Sequence, residues 1–577
     1  MAGVVIGVLG LGLAGLLAAP RLRATRHDVS VARGALERAR LAVAGRDVAG
    51  ATAALDQADA AIARAGRRAH GFPLNVVAPF PVVGSPVKAL SAGVRAGREV
   101  VAAGRILTGA VGSFPTSGRS GVEGHDLSGI HAVSVRSTDA LANAGAHLMA
   151  AHRDLTGPAG AALPQVSGPT RDLLVTVDGI RRQLSSAEGG LRLLSGLTDP
   201  AVDVRLLLLS QDSMELRATG GFIGSFGVVH LARGTLTLER YQDVGTLPAP
   251  LPAAEAPEGL AGALPGPWDL SNSNWWPDFP TSARAAMALY ARQGGGNVDG
   301  VIAVTEAVMG RLVGVVGSVI LPGYAKPVVE AGFARRALYE VELKPVLDTP
   351  RKKFLIELAS EVFHRLFSLP PEKLPAVLEA FAQAAATGDL QVYFSDPAWQ
   401  AAIAGQPIEG ALPRPAGDFL ALVDSNLTGG KANADLVRTV NYTVQATADG
   451  RPRATLDIEY SNNGAASVTN PYYNGYLRVY VPNGSTLSEA SQAAATSFGP
   501  APDGSYDVIA AQVYVDPLGK QTVHFEYQLP KQVTAGAYQL TWLRQPGTPA
   551  DTLTATVGTQ TFHADPAHRK LQITALL

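Results

Sequence analysis

The stretch "LLLLSQDSMELRATGGFIGSFGVV", residues 206–229, begins as an apolar run of strand length, breaks into a polar corner, and recovers as a second strand. The corner carries Asp212, Glu215, Arg217 and the adjacent glycines Gly220 and Gly221. A hydrophobic core needs none of these, so the interruption is either an unusual turn or a site. Ligands of open α/β sheets collect at the carboxyl ends of strands. Glycines there let a ligand approach the backbone closely. An acid beside an arginine suits a divalent metal with phosphate, the acid holding Mg²⁺ and the guanidinium gripping phosphate oxygens. The competing reading is a Glu215–Arg217 salt bridge supporting a tight glycine turn.

Outward from this corner, "FGVVHLARGTLTLERYQDV" (226–244) reads as a hairpin with "ARG" at its turn. "VDGVIAVTEAVMGRLVGVVGSVILP" (298–322) reads as strand–helix–strand, and "LQVYFSD" (390–396) as a further strand. Amphipathic helices are expected over 351–367 and 371–387. Alternating strands and helices predict an α/β domain over 201–425. The alternating runs "TVNYTVQATADGRPRATLDIEYSN", "YLRVYVPNG", "AQVYVDPLGKQTVHFEYQL" and "AYQLTWLR" predict an antiparallel β-sandwich over 434–577. Upstream, residues 21–200 read as helices with a small-residue stripe, Ala54, Leu55, Ala58, Ala61 and Ile62, and a linker near 111–126. They form either a membrane-proximal stalk or a partner-binding helical array.

The chain of 577 residues is too long for one core. It has no cysteine, which excludes disulfides, thiolate catalysis and Cys-based metal sites. A formal net charge of -1 gives no bulk attraction for nucleic acid. Residues 1–19, "MAGVVIGVLGLGLAGLLAA", carry no charged side chain, and residues 1–20 are expected to form a transmembrane anchor. An extracytoplasmic body on a single-pass anchor is the expectation for location, although Arg21, Arg23 and Arg26 on the downstream flank argue for the opposite orientation.

Two further segments carry chemistry. "DTPRKKFLIEL" (348–358) puts Arg351, Lys352 and Lys353 at a helix start, where cations oppose the dipole and a bound anion would offset the cost. Solvated basic residues on a first turn are the alternative. "WDLSNSNWWPDFP" (268–280) offers Trp275 either as a stacking surface for a sugar or as a plug at the core's edge. Phosphate-loop, dinucleotide and nucleophile-elbow patterns are absent, and the histidines form no metal-ligand pair at helical spacing.

"LRATGGFIGSFGVV", "NSNWWPDFPTSARAAMALY" and "DTPRKKFLIEL" together resemble the DUF4012 family, bacterial envelope-associated proteins without an assigned reaction. More distantly, the central domain is similar to the LytR–CpsA–Psr family of membrane-anchored phosphotransferases. These move polyprenyl-pyrophosphate-linked glycans onto cell-wall acceptors with Mg²⁺. That likeness implies Asp212 and Asp243 as metal ligands, and Arg217 and Arg351 as the catalytic, pyrophosphate-binding arginines. Lys352, Gly220, Gly221 and Trp275 would complete the substrate site. The chain departs from that family at "RYQDVG" (240–245), where Gln242 stands in for an arginine. The loss removes one charge-assisted contact, worth roughly 1.5–3 kcal/mol.

Three readings follow. The first is an envelope protein binding, and as an enzyme transferring, a polyprenyl-pyrophosphate glycan. The second is a non-catalytic scaffold displaying glycan- or protein-binding modules, and the third is a cytoplasmic membrane-tethered protein.

Overall fold

Four consecutive leucines, Leu206–Leu209, are all buried in the strand β1 (Asp203–Asp212), which requires that its sheet be covered on both faces. A computed structural model describes residues 24, 27–43, 47–69, 85–112, 127–156, 164–248, 256–257, 259–264, 267–343, 353–370, 373–414, 416–490, 495–501, 504–534, 537–548, 551–564 and 569–577. They fall into two units, a helical one ending at Pro200 and a second over Ala201–Leu577. The expected anchor, residues 1–20, lies outside the described residues. Among the described residues no helix is long and apolar enough to cross a membrane.

The first unit is helical, as its small-residue periodicity predicts. It comprises α1 (27–43), α2 (Val48–Ala69), α3 (Ser85–Gly112), α4 (Ser128–Thr156) and α5 (Pro164–Leu197). Alanines make the seams. Ala32 and Ala35 of α1 meet Ala58, Ala61 and Ile62 of α2, and Ala96 and Ala103 of α3 meet Ala144, Leu148 and Ala151 of α4. Such short side chains let helix axes approach closely.

The second unit opens with a mixed sheet in the order β3-β2-β1-β4-β5. Its strands are β1, β2 (Phe222–Ala232), β3 (Thr235–Asp243), β4 (Gly300–Thr305) and β5 (Leu390–Phe394). β1 and β4 run parallel, and every other pair is antiparallel. α6 (Phe279–Arg292) lays Phe279, Ala283, Ala286 and Tyr290 on Leu207, Leu209, Phe226 and Val301. Asp278 caps α6, accepting from Thr281 N at 3.1 Å. α7 (Glu306–Val316) follows β4 directly, while α8 (Lys353–Phe367) and α9 (Leu374–Thr387) lie before β5. The second apolar run of 298–322 does not add a strand to this sheet; it forms only the isolated bridge Val319↔Val328. Gly317, at φ 83, and Pro322 bracket it and prevent a longer ladder.

The rest of the unit is a sandwich of two six-stranded sheets. One has the order β11-β12-β9-β6-β14-β17, from β11 (Ala495–Pro500), β12 (Tyr506–Val515), β9 (Tyr473–Pro482), β6 (Asp418–Asn426), β14 (Tyr538–Leu543) and β17 (Lys570–Ala575). The other has the order β10-β13-β8-β7-β15-β16, from β10 (Thr486–Ala490), β13 (Lys520–Gln528), β8 (Arg453–Asn462), β7 (Leu436–Gln445), β15 (Thr552–Val557) and β16 (Gln560–His563). One continuous core joins the two sheets. The sheets are mixed where antiparallel ones were expected, because β14 runs parallel to β6 and β15 parallel to β7. β6 is the sandwich's first strand, so the boundary expected at residue 425 falls inside it. Every residue of β6 is buried: Leu420 and Leu422 face the sandwich core, while Phe419, Ala421 and Val423 pack with Ala218 of the corner.

Candidate functional site

The corner that interrupts β1 and β2 sits where the five-stranded sheet meets the sandwich. A register shift between Ser210 and Gln211 bends the end of β1, and the chain returns tightly enough that only glycine fits. A Cβ on Gly221 would lie 2.2 Å from the Asp212 carbonyl oxygen. Gly220 has φ 135, in the region that favours glycine. Gly547 of the sandwich, at φ 79, approaches from the other side, and a Cβ there would lie 2.3 Å from the Gly220 carbonyl oxygen. The glycines therefore serve a close approach of protein backbone to protein backbone.

Arg217 is 4% exposed and directs four of its five N–H groups into the protein. Nε donates to Asn272 Oδ1 at 3.2 Å, and Nη1 to the carbonyls of Leu216 at 3.1 Å and Asn426 at 2.7 Å. Nη2 donates to Glu215 Oε1 at 3.2 Å, and the guanidinium lies 5.5 Å from the Phe222 ring centroid. The Arg217 carbonyl accepts from Gln545 Nε2 at 3.0 Å. Burial pulls the Arg217 pKa down, and the Glu215 carboxylate opposes that pull.

Lys431 of the sandwich completes the charge balance. Its Nζ lies 2.9 Å from Asp212 Oδ2 and 2.9 Å from Glu215 Oε2. Burial works against its charge, but the two carboxylates outweigh it and hold the ammonium well above its ordinary pKa. Glu306, the first residue of α7, accepts from Ser213 N at 3.1 Å and from Ser213 Oγ. Burial, with the negative charge of Asp212 adding to it, pushes Glu306 up to about 7 against those hydrogen bonds.

The Asn- and Trp-rich loop secures the same corner. Asn274 Nδ2 donates to the Gly221 carbonyl at 2.8 Å and to Gln211 Oε1 at 2.8 Å. Thr219 Oγ1 donates to Gln211 Oε1 at 2.6 Å, and Gln391 Nε2 donates to the Thr219 carbonyl at 2.7 Å. Trp275 is 5% exposed and stacks on Tyr476 of β9, with centroids 5.7 Å apart and planes 19° apart. The Arg478 guanidinium lies 3.9 Å from the Trp275 ring centroid. The Trp275 contacts reach the sandwich, those of Asn274 and Gln391 reach the turn, and the Thr219–Gln211 bond ties the turn to the end of β1.

Of the residues singled out from sequence, Asp212, Arg217, Gly220, Gly221 and Trp275 come together here. Asp243 does not join them. It pairs opposite Ser225, which itself pairs with Ser210, placing it two strands and roughly 12 Å from Asp212 by ordinary strand spacing. Its carboxylate accepts from Gly245 N at 2.7 Å, capping a short 3₁₀ turn. Asp212, held by Lys431, and Asp243, engaged in that cap, do not fit a shared Mg²⁺ site. No cluster of three or more His, Asp or Glu among the described residues has metal-binding geometry. Arg351 and Lys352 lie outside the described residues. Two members of the cluster were missed from sequence. Glu306 carried a usable signal, an acid at a helix start directly after a parallel strand, whereas Lys431 lies 214 positions beyond Arg217 with no local mark.

Residues 203–340 match the family model described as "Protein of unknown function (DUF4012)". The match spans both the glycine corner and the tryptophan loop and supports the DUF4012 resemblance over that segment. No curated protein and no solved structure matches the chain at a significant level.

Proposed function

We propose that this chain is a non-catalytic scaffold, in which a corner resembling a pyrophosphate site serves as a clasp between an α/β layer and a β-sandwich that presents binding surface. The observation that carries this reading is the environment of Arg217. An arginine that grips a pyrophosphate must offer its fork to the ligand, yet this one is buried and bonded to Glu215, Asn272 and the Asn426 carbonyl. Asp212 is likewise paired with a lysine from the sandwich. By this reading the likeness to LytR–CpsA–Psr phosphotransferases is one of layout, with the charged positions reused for adhesion between layers. The apolar run at residues 1–19 supports a membrane tether, with the helical region as a stalk.

The test is calorimetric titration of the full chain in detergent with undecaprenyl pyrophosphate, with and without Mg²⁺, for wild type and Arg217→Ala. The scaffold reading predicts no Mg²⁺-dependent heat with folded wild type. Saturable Mg²⁺-dependent binding that disappears in a folded Arg217→Ala variant would overturn it and reinstate the enzyme.

A further inference from the structure

Trp275, the ring that the sequence offers for stacking on a sugar, is covered. The sheet on which it rests carries a second aromatic stack that is not. On β9 and β12, Tyr473, Leu477, Val513 and Val515 point into the sandwich core. By strand alternation Asn474, Tyr476, Gln512 and Tyr514 therefore share the opposite face. Gln512 pairs across from Tyr476, and Tyr514 across from Asn474. Trp275 covers Tyr476. One rung further along, Tyr514 is 51% exposed and stacks on Tyr472, itself 36% exposed, with centroids 5.0 Å apart and planes 30° apart.

The rim of this stack is polar. Gln512 Nε2 donates to Asn474 Oδ1 at 2.9 Å, a bond that uses one amide hydrogen of Gln512 and one acceptor site of Asn474. The Asn474 side-chain amide hydrogens and the Gln512 side-chain Oε1 have no protein partner among the described residues. The carboxylate of Asp516 lies beside Tyr514. Flat aromatic surface suits the C–H face of a pyranose, and fixed amides at its edge suit the ring hydroxyls. The nearby charge is negative, which disfavours anionic polymers and nucleic acid. Two rings are also far short of the roughly 800 Å² per partner of an ordinary protein interface.

We propose that this strip, with Tyr514 and Tyr472 as platform and Gln512, Asn474 and Asp516 as rim, binds a neutral hexose polymer. The proposal deepens the scaffold reading and rests on it only in taking the sandwich as the presenting layer. Native gels cast with mannan, galactan, amylose or a β-1,3-glucan test it with the full chain in detergent. The expected result is retarded migration in at least one gel, with binding weakened at least about tenfold in Tyr514→Ala and in Gln512→Ala. Tyr514→Phe keeps the retardation, because the ring face does the stacking. Wild type migrating freely in all four gels, or Tyr514→Ala binding like wild type at unchanged thermal midpoint, would overturn the proposal. Tyr514 touches none of the Arg217 contacts, so failure here leaves the clasp standing, and undecaprenyl pyrophosphate binding in the other assay leaves this surface standing.

Discussion

Arg217 and Glu215 form a buried pair whose members lie two residues apart, and Glu215 also pairs with Lys431 of the sandwich. Taking two charges out of water is costly, and breaking such a pair from one side leaves the other charge unsatisfied, typically at about 3–5 kcal/mol. Here Lys431 remains beside Glu215, so Arg217→Met is expected at the lower end of that range. Arg217→Lys should not rescue it. A lysine presents a point charge that cannot reach Asn272, Glu215 and the Asn426 carbonyl at once. Urea unfolding of the three proteins checks this, and a lysine variant with the wild-type midpoint would contradict the fork geometry as the reason for arginine. The sequence made this residue visible, since an arginine between two strands is out of place in a core. It could not reveal the partner, because Asn426 and Gln545 lie hundreds of positions downstream and carry no pattern pointing back to residue 217.

At the scale of elements, β6 is the piece that sequence reading left out, and its burial explains why. "DFLALVDSN" has no alternation, because one face lies in the sandwich and the other against the α/β layer. Its acids are the anomaly. Asp418 is fully buried without a cation and accepts from Tyr442 Oη at 2.7 Å, from Tyr538 Oη and from its own neighbour Phe419 N at 2.7 Å. Tyr527, which donates to Tyr442 Oη at 3.3 Å, is the next hydroxyl in the chain of contacts. Burial pushes Asp418 up to about 6 from an ordinary 3.8, against the hydrogen bonds that favour its charged form. The folded state thus holds a proton that the unfolded chain has released between about pH 4 and 6. For this group, stability is highest below pH 4, falls as pH rises to 6, and is flat above. Two pKa units correspond to about 3 kcal/mol. Asp418→Asn should flatten that part of the profile, so the difference between variant and wild type changes by about that amount from pH 4 to pH 7. Parallel profiles in urea unfolding would show that Asp418 does not titrate in this interval. The helices of the first unit and the hairpin of β2 and β3 were legible because their periodicity is local. The parallel pairings of β14 with β6 and of β15 with β7 were not, since nothing in an alternating strand states which neighbour it takes.

For the molecule as a whole, the segment matching the DUF4012 model ends at residue 340, before the sandwich begins, yet residues within that segment grip the sandwich. Gly220 meets Gly547, Trp275 meets Tyr476, and Asp212 and Glu215 meet Lys431. A layer whose most distinctive residues are turned toward its neighbour is expected to fold with it. The clasp therefore couples the two layers into one folding unit, and hydrogen exchange by mass spectrometry measures that coupling. In wild type, peptides covering Leu207–Leu209 of β1 and Leu420–Leu422 of β6 should show the same free energy of opening, as one cooperative unit. In Trp275→Ala combined with Arg217→Met, β1 should open first while β6 keeps its protection. Unequal opening of the two strands in wild type, unchanged by the double substitution, would contradict the clasp and return the corner to the status of a site.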